Sequence, residues 1–122
     1  MEKMKTTAWW WGRSCSVDLH GLDDSLIHPE YIRKYVRKLC TLLNMKRHGP
    51  TEIGRFGKGK LRGYSMMQFI ETSSITAHFD DKGHRAFIDI FSCKQFNPRK
   101  VARFSQKFFK AQDVRINAEE RL

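Results

Sequence analysis

The stretch Gly63-Tyr64-Ser65-Met66-Met67-Gln68-Phe69-Ile70-Glu71-Thr72-Ser73-Ser74-Ile75-Thr76-Ala77-His78-Phe79 decides the fold. Tyr64 to Ile70 is rich in residues that suit a pleated surface and reads as a strand. Ile75 to Phe79 reads as a second strand, and the polar residues Glu71 to Ser74 between them as a connection. Asp80-Asp81-Lys82-Gly83 reads as a hairpin turn, and Ala86 to Ser92 as the strand after it. Phe87, Ile88, Ile90 and Phe91 of that strand are expected to be buried. Short turns between consecutive strands imply mainly antiparallel pairing.

Working outward, Ser14 to Leu19 alternates Cys15, Val17 and Leu19 with polar neighbours, the period of a half-buried strand. Gly21-Leu22-Asp23-Asp24 breaks it. Pro29 suits the first position of a helix, with Glu30 in the first turn. Ile32, Tyr35, Val36, Leu39, Cys40 and Leu43 then recur on one helical face. Asn44 to Pro50 reads as a turn region, Ile53 to Phe56 as a short strand, and Gly57 to Gly63 as a Gly-rich loop. Asn97-Pro98 opens a second helix with the stripe Val101, Phe104, Phe108 and Ala111. Val114 and Ile116 mark a closing edge strand. Two helices are too few to cover both faces of such a sheet. The expected fold is therefore α+β: a two-layer α/β sandwich, mainly antiparallel, with two helices on one face. The other face must be wet or paired. The aromatic content of so short a chain favours pairing, so a homo-oligomer is expected.

With 122 residues the chain reads as a single domain, 1–122. It is 40% hydrophobic and 30% charged, the balance of a soluble globular protein. No apolar run reaches the ~18 residues that span a bilayer. The basic start followed by Trp9, Trp10 and Trp11 is too short and too aromatic for a secretory segment, so the protein is read as cytoplasmic. The Trp run itself reads as a packing or interface element. Cys15, Cys40 and Cys93 are odd in number and form no CxxC pair, which argues against a disulfide framework and against zinc. No metal is expected. The net charge of +10 includes Lys58, Lys60 and Arg62 in the Gly-rich loop. That loop lacks the Gly-Lys-Ser/Thr of a P-loop, and no nucleic-acid-binding signature is present. Nucleic-acid binding is therefore a minor reading of the charge, and the simpler one is a solvated basic surface.

Taken singly, Ser73 is a turn serine, His78 a strand histidine and Cys93 a small residue at a strand end. Together they resemble the bacterial and archaeal type of S-adenosylmethionine decarboxylase. The matching residues are Gly63-Tyr64-Ser65, then Ser73, then His78, then Asp89-Ile90-Phe91-Ser92-Cys93. His78 follows Ser73 by five residues (78 − 73) and Cys93 follows it by twenty (93 − 73), as in that family. Gly12-Arg13-Ser14 and Val17-Asp18-Leu19-His20-Gly21 extend the likeness, which covers about residues 12 to 112.

The resemblance implies that Ser73 makes the cofactor. Its hydroxyl attacks the Thr72 carbonyl, exchanging the amide for an ester. Loss of the Ser73 α-proton then eliminates the ester and cuts the chain between Thr72 and Ser73. Tautomerisation to an imine and its hydrolysis by water, with loss of ammonia, leave a pyruvoyl group at the new N-terminus. The products are a chain of residues 1–72 and one of residues 73–122. Ser65 and His78 assist this processing in the resemblance, His78 as the proton acceptor. The ketone forms a Schiff base with a substrate amine and takes up the electrons released with carbon dioxide. Cys93 returns the proton. The implied reaction is decarboxylation of S-adenosylmethionine for spermidine synthesis, by a homo-oligomer, a dimer of processed protomers.

Three positions depart from the family pattern. Thr72 stands where Glu usually precedes the cleavage serine, with Glu71, a candidate substrate contact, one place earlier. Ser74 stands where His usually follows it. Lys82 stands where a Glu holds the ribose hydroxyls, with Asp81 adjacent to stand in for it. Phe56, Tyr64 and Phe79 are the candidates to stack on an adenine ring. A free amino acid, ornithine or arginine, is the alternative substrate, for which Asp80 and Asp81 would supply carboxylates. A chain that does not process itself and binds a partner through its basic surface is the alternative outside enzymology.

Overall fold

A computed structural model describes residues 10–122. Trp9 lies outside them. The elements in order are β1 (Gly12–His20), α1 (Pro29–Leu42), β2 (Arg47–Phe56), β3 (Gly63–Ile70), β4 (Ser73–Asp80), β5 (Arg85–Ser92), α2 (Pro98–Phe108) and β6 (Asp113–Arg121). Six strands form one sheet in the order β2-β3-β4-β5-β1-β6, and every neighbouring pair is antiparallel. This is the two-layer α+β sandwich expected from the sequence.

Alternation decides which face the helices cover. Cys15, Val17 and Leu19 of β1, Ile75, Ala77 and Phe79 of β4, and Ala86, Ile88 and Ile90 of β5 are buried. They meet Ile32, Tyr35, Val36 and Leu39 of α1 and Val101 and Ala102 of α2 in one core. Both helices start as their sequences predict. Pro29 and Pro98 occupy the first turn, and the side chains of His28 and Asn97 accept from the N–H groups of Tyr31 and Arg99.

The opposite face of the sheet carries no helix. Phe56 is 62% exposed there, and Phe69 56%. The same alternation corrects one expectation. Phe87 and Phe91 fall one residue out of step with Ile88 and Ile90, so they lie on the open face and are not core. Phe91 is capped by Trp11, whose ring stacks on it at 5.8 Å. Trp10 donates to Glu120 on β6. The two described tryptophans thus fasten the N-terminal segment to β5 and β6.

The second correction is β2. The turn expected over Asn44 to Pro50 is largely strand, interrupted by a register shift between His48 and Glu52. Gln68, wholly buried on β3, makes this work. Its amide donates to the carbonyls of His48 and Gly49 at 3.3 and 3.0 Å and accepts from Thr51 Oγ1 at 2.5 Å. A buried side chain replaces the ladder bonds that Pro50 and the shift remove.

Candidate active site

The register of β3 and β4 sets Ser65 directly opposite His78. Their side chains meet, Ser65 Oγ lying 3.0 Å from His78 Nδ1. Gly63 leaves space for the ring: a Cβ there would lie 3.0 Å from His78 Nε2 and 2.1 Å from the Phe79 carbonyl oxygen. On its other side His78 Nε2 lies 3.4 Å from Asp80 Oδ1. A carboxylate offers only acceptor lone pairs, so it favours the imidazole proton on Nε2. Nδ1 is then free to accept from the Ser65 hydroxyl. Asp80 is itself held by Arg85, whose guanidinium sits 3.0 Å from Oδ2. A cavity of about 580 Å³ lies over the pair, lined by Gly54, Phe56, Met67, Thr76, Phe87 and Asp89 among others.

Ser73 and Cys93 form a second group. Ile70 pairs with Ser73, which leaves Glu71 and Thr72 alone to turn the chain between β3 and β4. Ser73 has φ +151°. An L-residue there is strained by on the order of 1–3 kcal/mol, and such strain persists only where the surroundings over-determine it. The surroundings do so here. The Thr72 carbonyl oxygen accepts from the Cys93 backbone N–H at 3.0 Å. Ser92 Oγ, fully buried, donates to Thr72 Oγ1 at 2.8 Å and accepts from the Lys94 N–H at 2.9 Å. The Glu71 N–H donates to the Lys46 carbonyl at 2.9 Å. The peptide between Thr72 and Ser73 is thereby clamped, and its carbonyl already faces a donor. Such a donor polarises the carbonyl and stabilises negative charge that develops on the oxygen. The Cys93 thiol is exposed. Cys15 and Cys40 are buried, and burial pushes both thiols up to about 11.

The two groups are not brought together within one chain. His78 is five residues from Ser73 along β4, about 16 Å at ~3.3 Å per residue. Direct proton transfer needs roughly 3 Å.

The proposed substrate contacts divide. Phe56 is exposed and lines the cavity beside Ser65 and His78. Tyr64 is half-buried with the Arg55 guanidinium over its ring at 5.4 Å. Phe79 is a correction: it has no exposed surface and packs against Phe109 at 5.1 Å between ring centroids, so it offers no face to a ligand. Asp81 is engaged by Arg55 at 2.5 Å and, more loosely, by Arg62 at 3.9 Å. Glu71 faces solvent and reaches Lys46 at 3.5 Å.

Sequence reasoning passed over Ser92, Asp80 as the partner of His78, and the Cys93 N–H. Ser92 left a signal, a polar residue in step with the buried Ile88 and Ile90. The N–H left none, because only the sheet register aims it. Among the described residues no three His, Cys, Asp or Glu side chains gather to hold a metal, and no helix is long and apolar enough to cross a membrane.

Comparison with known proteins agrees with this layout. The crystal structure of the adenosylmethionine decarboxylase from Aquifex aeolicus VF5 superposes with a TM-score of 0.76 at 18% identity. The match covers 92% of this chain and 91% of that one, and shows a shared fold. No curated protein matches the sequence. The family profile described as S-adenosylmethionine decarboxylase matches residues 13–122. That span takes in both helices, both groups of candidate residues and all six strands but for Gly12 at the start of β1, and the chain belongs to the S-adenosylmethionine decarboxylase family.

Proposed function

We propose that the chain is a proenzyme that cuts itself between Thr72 and Ser73 and then decarboxylates S-adenosylmethionine. The observation that carries this reading is the Thr72-Ser73 peptide. A serine in a strained backbone follows a carbonyl that already faces the Cys93 N–H. The residues fit a group made from the chain itself.

Attack of Ser73 Oγ on the Thr72 carbonyl carbon drives negative charge onto its oxygen, where the Cys93 N–H lies. Breaking the C–N bond moves the acyl group to oxygen and leaves the Ser73 nitrogen as an amine. Breaking that bond releases the Ser73 nitrogen from the peptide plane and with it the strain stored in φ. A base must then remove the Ser73 α-proton, the role of His78 with Ser65 in this reading. The tautomer that Asp80 favours leaves Nδ1 unprotonated for that task. A pyruvoyl group supplies an electron sink for decarboxylating an amine-bearing substrate. The exposed Cys93 thiol, at the end of β5 beside the same turn, holds the proton to be returned. Phe56 offers a ring face for the adenine. The 16 Å between the two groups requires that Ser65 and His78 come from a second protomer, and the uncovered sheet face that carries them is the surface for it.

The carboxylates that an ornithine or arginine substrate would need, Asp80 and Asp81, are already paired with arginines. Intact mass of the purified protein tests the processing half. Fragments of residues 1–72 and 73–122 are expected, the second blocked at its N-terminus, and Ser73→Ala should stay whole. A wild-type chain that stays at 14.4 kDa on long incubation removes the mechanism. Release of labelled carbon dioxide from S-adenosylmethionine, ornithine and arginine in parallel tests the substrate. Release from either amino acid alone would overturn the assignment.

A further inference from the structure

The hairpin between β4 and β5 and the Gly-rich loop after β2 enclose a second cavity of about 660 Å³. Its lining is cationic: Arg55, Lys60, Arg62, Lys82 and Arg85, with Asp81 and two glycines. Five cations face the cavity against two carboxylates, Asp81 and the neighbouring Asp80. Neither carboxylate is free to hold an incoming cation. Asp81, little exposed, takes Arg55 at 2.5 Å and lies 3.9 Å from Arg62. Asp80 takes Arg85 at 3.0 Å. The carboxylates therefore orient three guanidiniums. An arginine carries five N–H donors, so donors remain on each for a further acceptor. Lys60 and Lys82 have no acidic partner among the described residues.

The backbone is cut to this arrangement. A Cβ at Gly83 would lie 2.5 Å from Asp80 Oδ2 and 3.0 Å from the Arg85 guanidinium, so a side chain there would displace the pair. Gly59 has φ +57° with no atom within 4 Å of its would-be Cβ, which leaves backbone open to the cavity side of the loop. Held guanidiniums, two unpaired ammoniums and accessible backbone are the means by which proteins grip phosphate oxygens. The volume lies in the range of small-ligand sites. The cations converge on one corner of the sheet and form no stripe such as a polymer would track.

We propose that this basin binds the phosphate groups of a small phosphorylated ligand, either a bare oligophosphate or a nucleotide. It is separate from the cavity over Ser65 and His78. Asp80 joins the two, with one carboxylate oxygen toward His78 and the other toward Arg85.

Calorimetric titration of the purified protein with pyrophosphate, with inorganic phosphate and with AMP tests this. Saturable binding of pyrophosphate or AMP at one site per chain is expected. Lys60→Gln/Lys82→Gln removes two cations that hold no part of the fold together and should weaken it at least about tenfold; Arg62→Gln should weaken it as well. Lys34→Gln, which removes one charge from α1 as Arg62→Gln removes one from the basin, should leave it within about twofold. AMP binding tighter than pyrophosphate identifies a nucleotide site, and the reverse order an oligophosphate site. No saturable binding of any of the three overturns the proposal. So does equal weakening by Lys34→Gln, or tight binding confined to oligonucleotides, which would mark a diffuse electrostatic surface. The Ser73→Ala protein should bind equally well, so the result does not depend on self-cleavage.

Discussion

Thr72 stands where the family usually has Glu, and its neighbour Ser92 explains how this chain accommodates the change. A threonine cannot reach the groups a longer carboxylate would. Its hydroxyl instead accepts from a serine buried at the end of β5, and that bond fixes the residue whose carbonyl is attacked in the proposed self-cleavage. Thr72→Val keeps the shape and deletes the bond. One neutral hydrogen bond is worth about 1 kcal/mol, so processing should slow about fivefold. Ser92→Ala should slow it at least as much, since it also frees the Lys94 N–H. The double variant should be no slower than Ser92→Ala, because both changes remove the same contact. Time courses of cleavage on denaturing gels give the three rates, and additive effects would show that the bond does not act on the turn. At this scale the sequence was informative about side chains and silent about backbone. The family resemblance, carried by its fixed spacing, singled out Ser65, Ser73, His78 and Cys93 as candidates. The strain at Ser73 and the aim of the Cys93 N–H arise from strand register, which no residue type encodes.

Strand and helix periods were legible wherever one face is buried and the other wet. β1, β3, β4, β5 and both helices follow their apolar spacing. The errors have local causes. In β5 Phe87, Ile88, Ile90 and Phe91 were all expected inside on their apolar character, yet a strand buries only every second side chain when one face is uncovered. In β2 Gly49 and Pro50 carry turn chemistry, and the compensation comes from Gln68, nearly twenty residues away. Phe109 was missed because it falls just after α2 and is not one of the stripe positions Val101, Phe104, Phe108 and Ala111. It is fully buried, with ring centroids 4.8 Å from Tyr35 and 5.1 Å from Phe79, and it locks both helices to β4. Phe109→Ala should cost about 3–5 kcal/mol in urea denaturation. Leu61→Ala, at a residue 77% exposed, should change stability by no more than about 0.5 kcal/mol. Equal effects would mean that the aromatic cluster does not hold the two layers together.

At the scale of the whole molecule, two facts constrain each other. One face of the sheet is open and carries exposed aromatic residues. The residues assigned to processing fall into two groups about 16 Å apart at ~3.3 Å per residue. Under the proposed mechanism a protomer alone holds the peptide to be cleaved without the base beside it, and the base without a peptide. A second copy laid on the open face would supply the Ser65 and His78 that the Ser73 of the first lacks. The aromatic content of the sequence led to the expectation of pairing, but the proposed dependence of chemistry on it has no trace there, since spacing along a chain does not reveal which of two like strands a residue would serve. The dependence is testable with two inactive chains. Ser73→Ala lacks the nucleophile but keeps His78, and His78→Ala keeps Ser73 but lacks the base. Each expressed alone should remain uncut. Co-expressed with distinguishable tags, they form mixed dimers in which the Ser73 of the His78→Ala chain faces the intact His78 of its partner. Only the His78→Ala chain should then be cut, in at most the fraction that pairs with the other variant. If the mixture stays whole although mixed dimers are recovered through both tags, the partner's His78 does not serve Ser73 and processing across two protomers is ruled out. If His78→Ala cuts itself at the wild-type rate when alone, the Ser65–His78 pair has no part in making the cofactor. The assignment of the open face would then rest on its exposed aromatic surface without any support from chemistry.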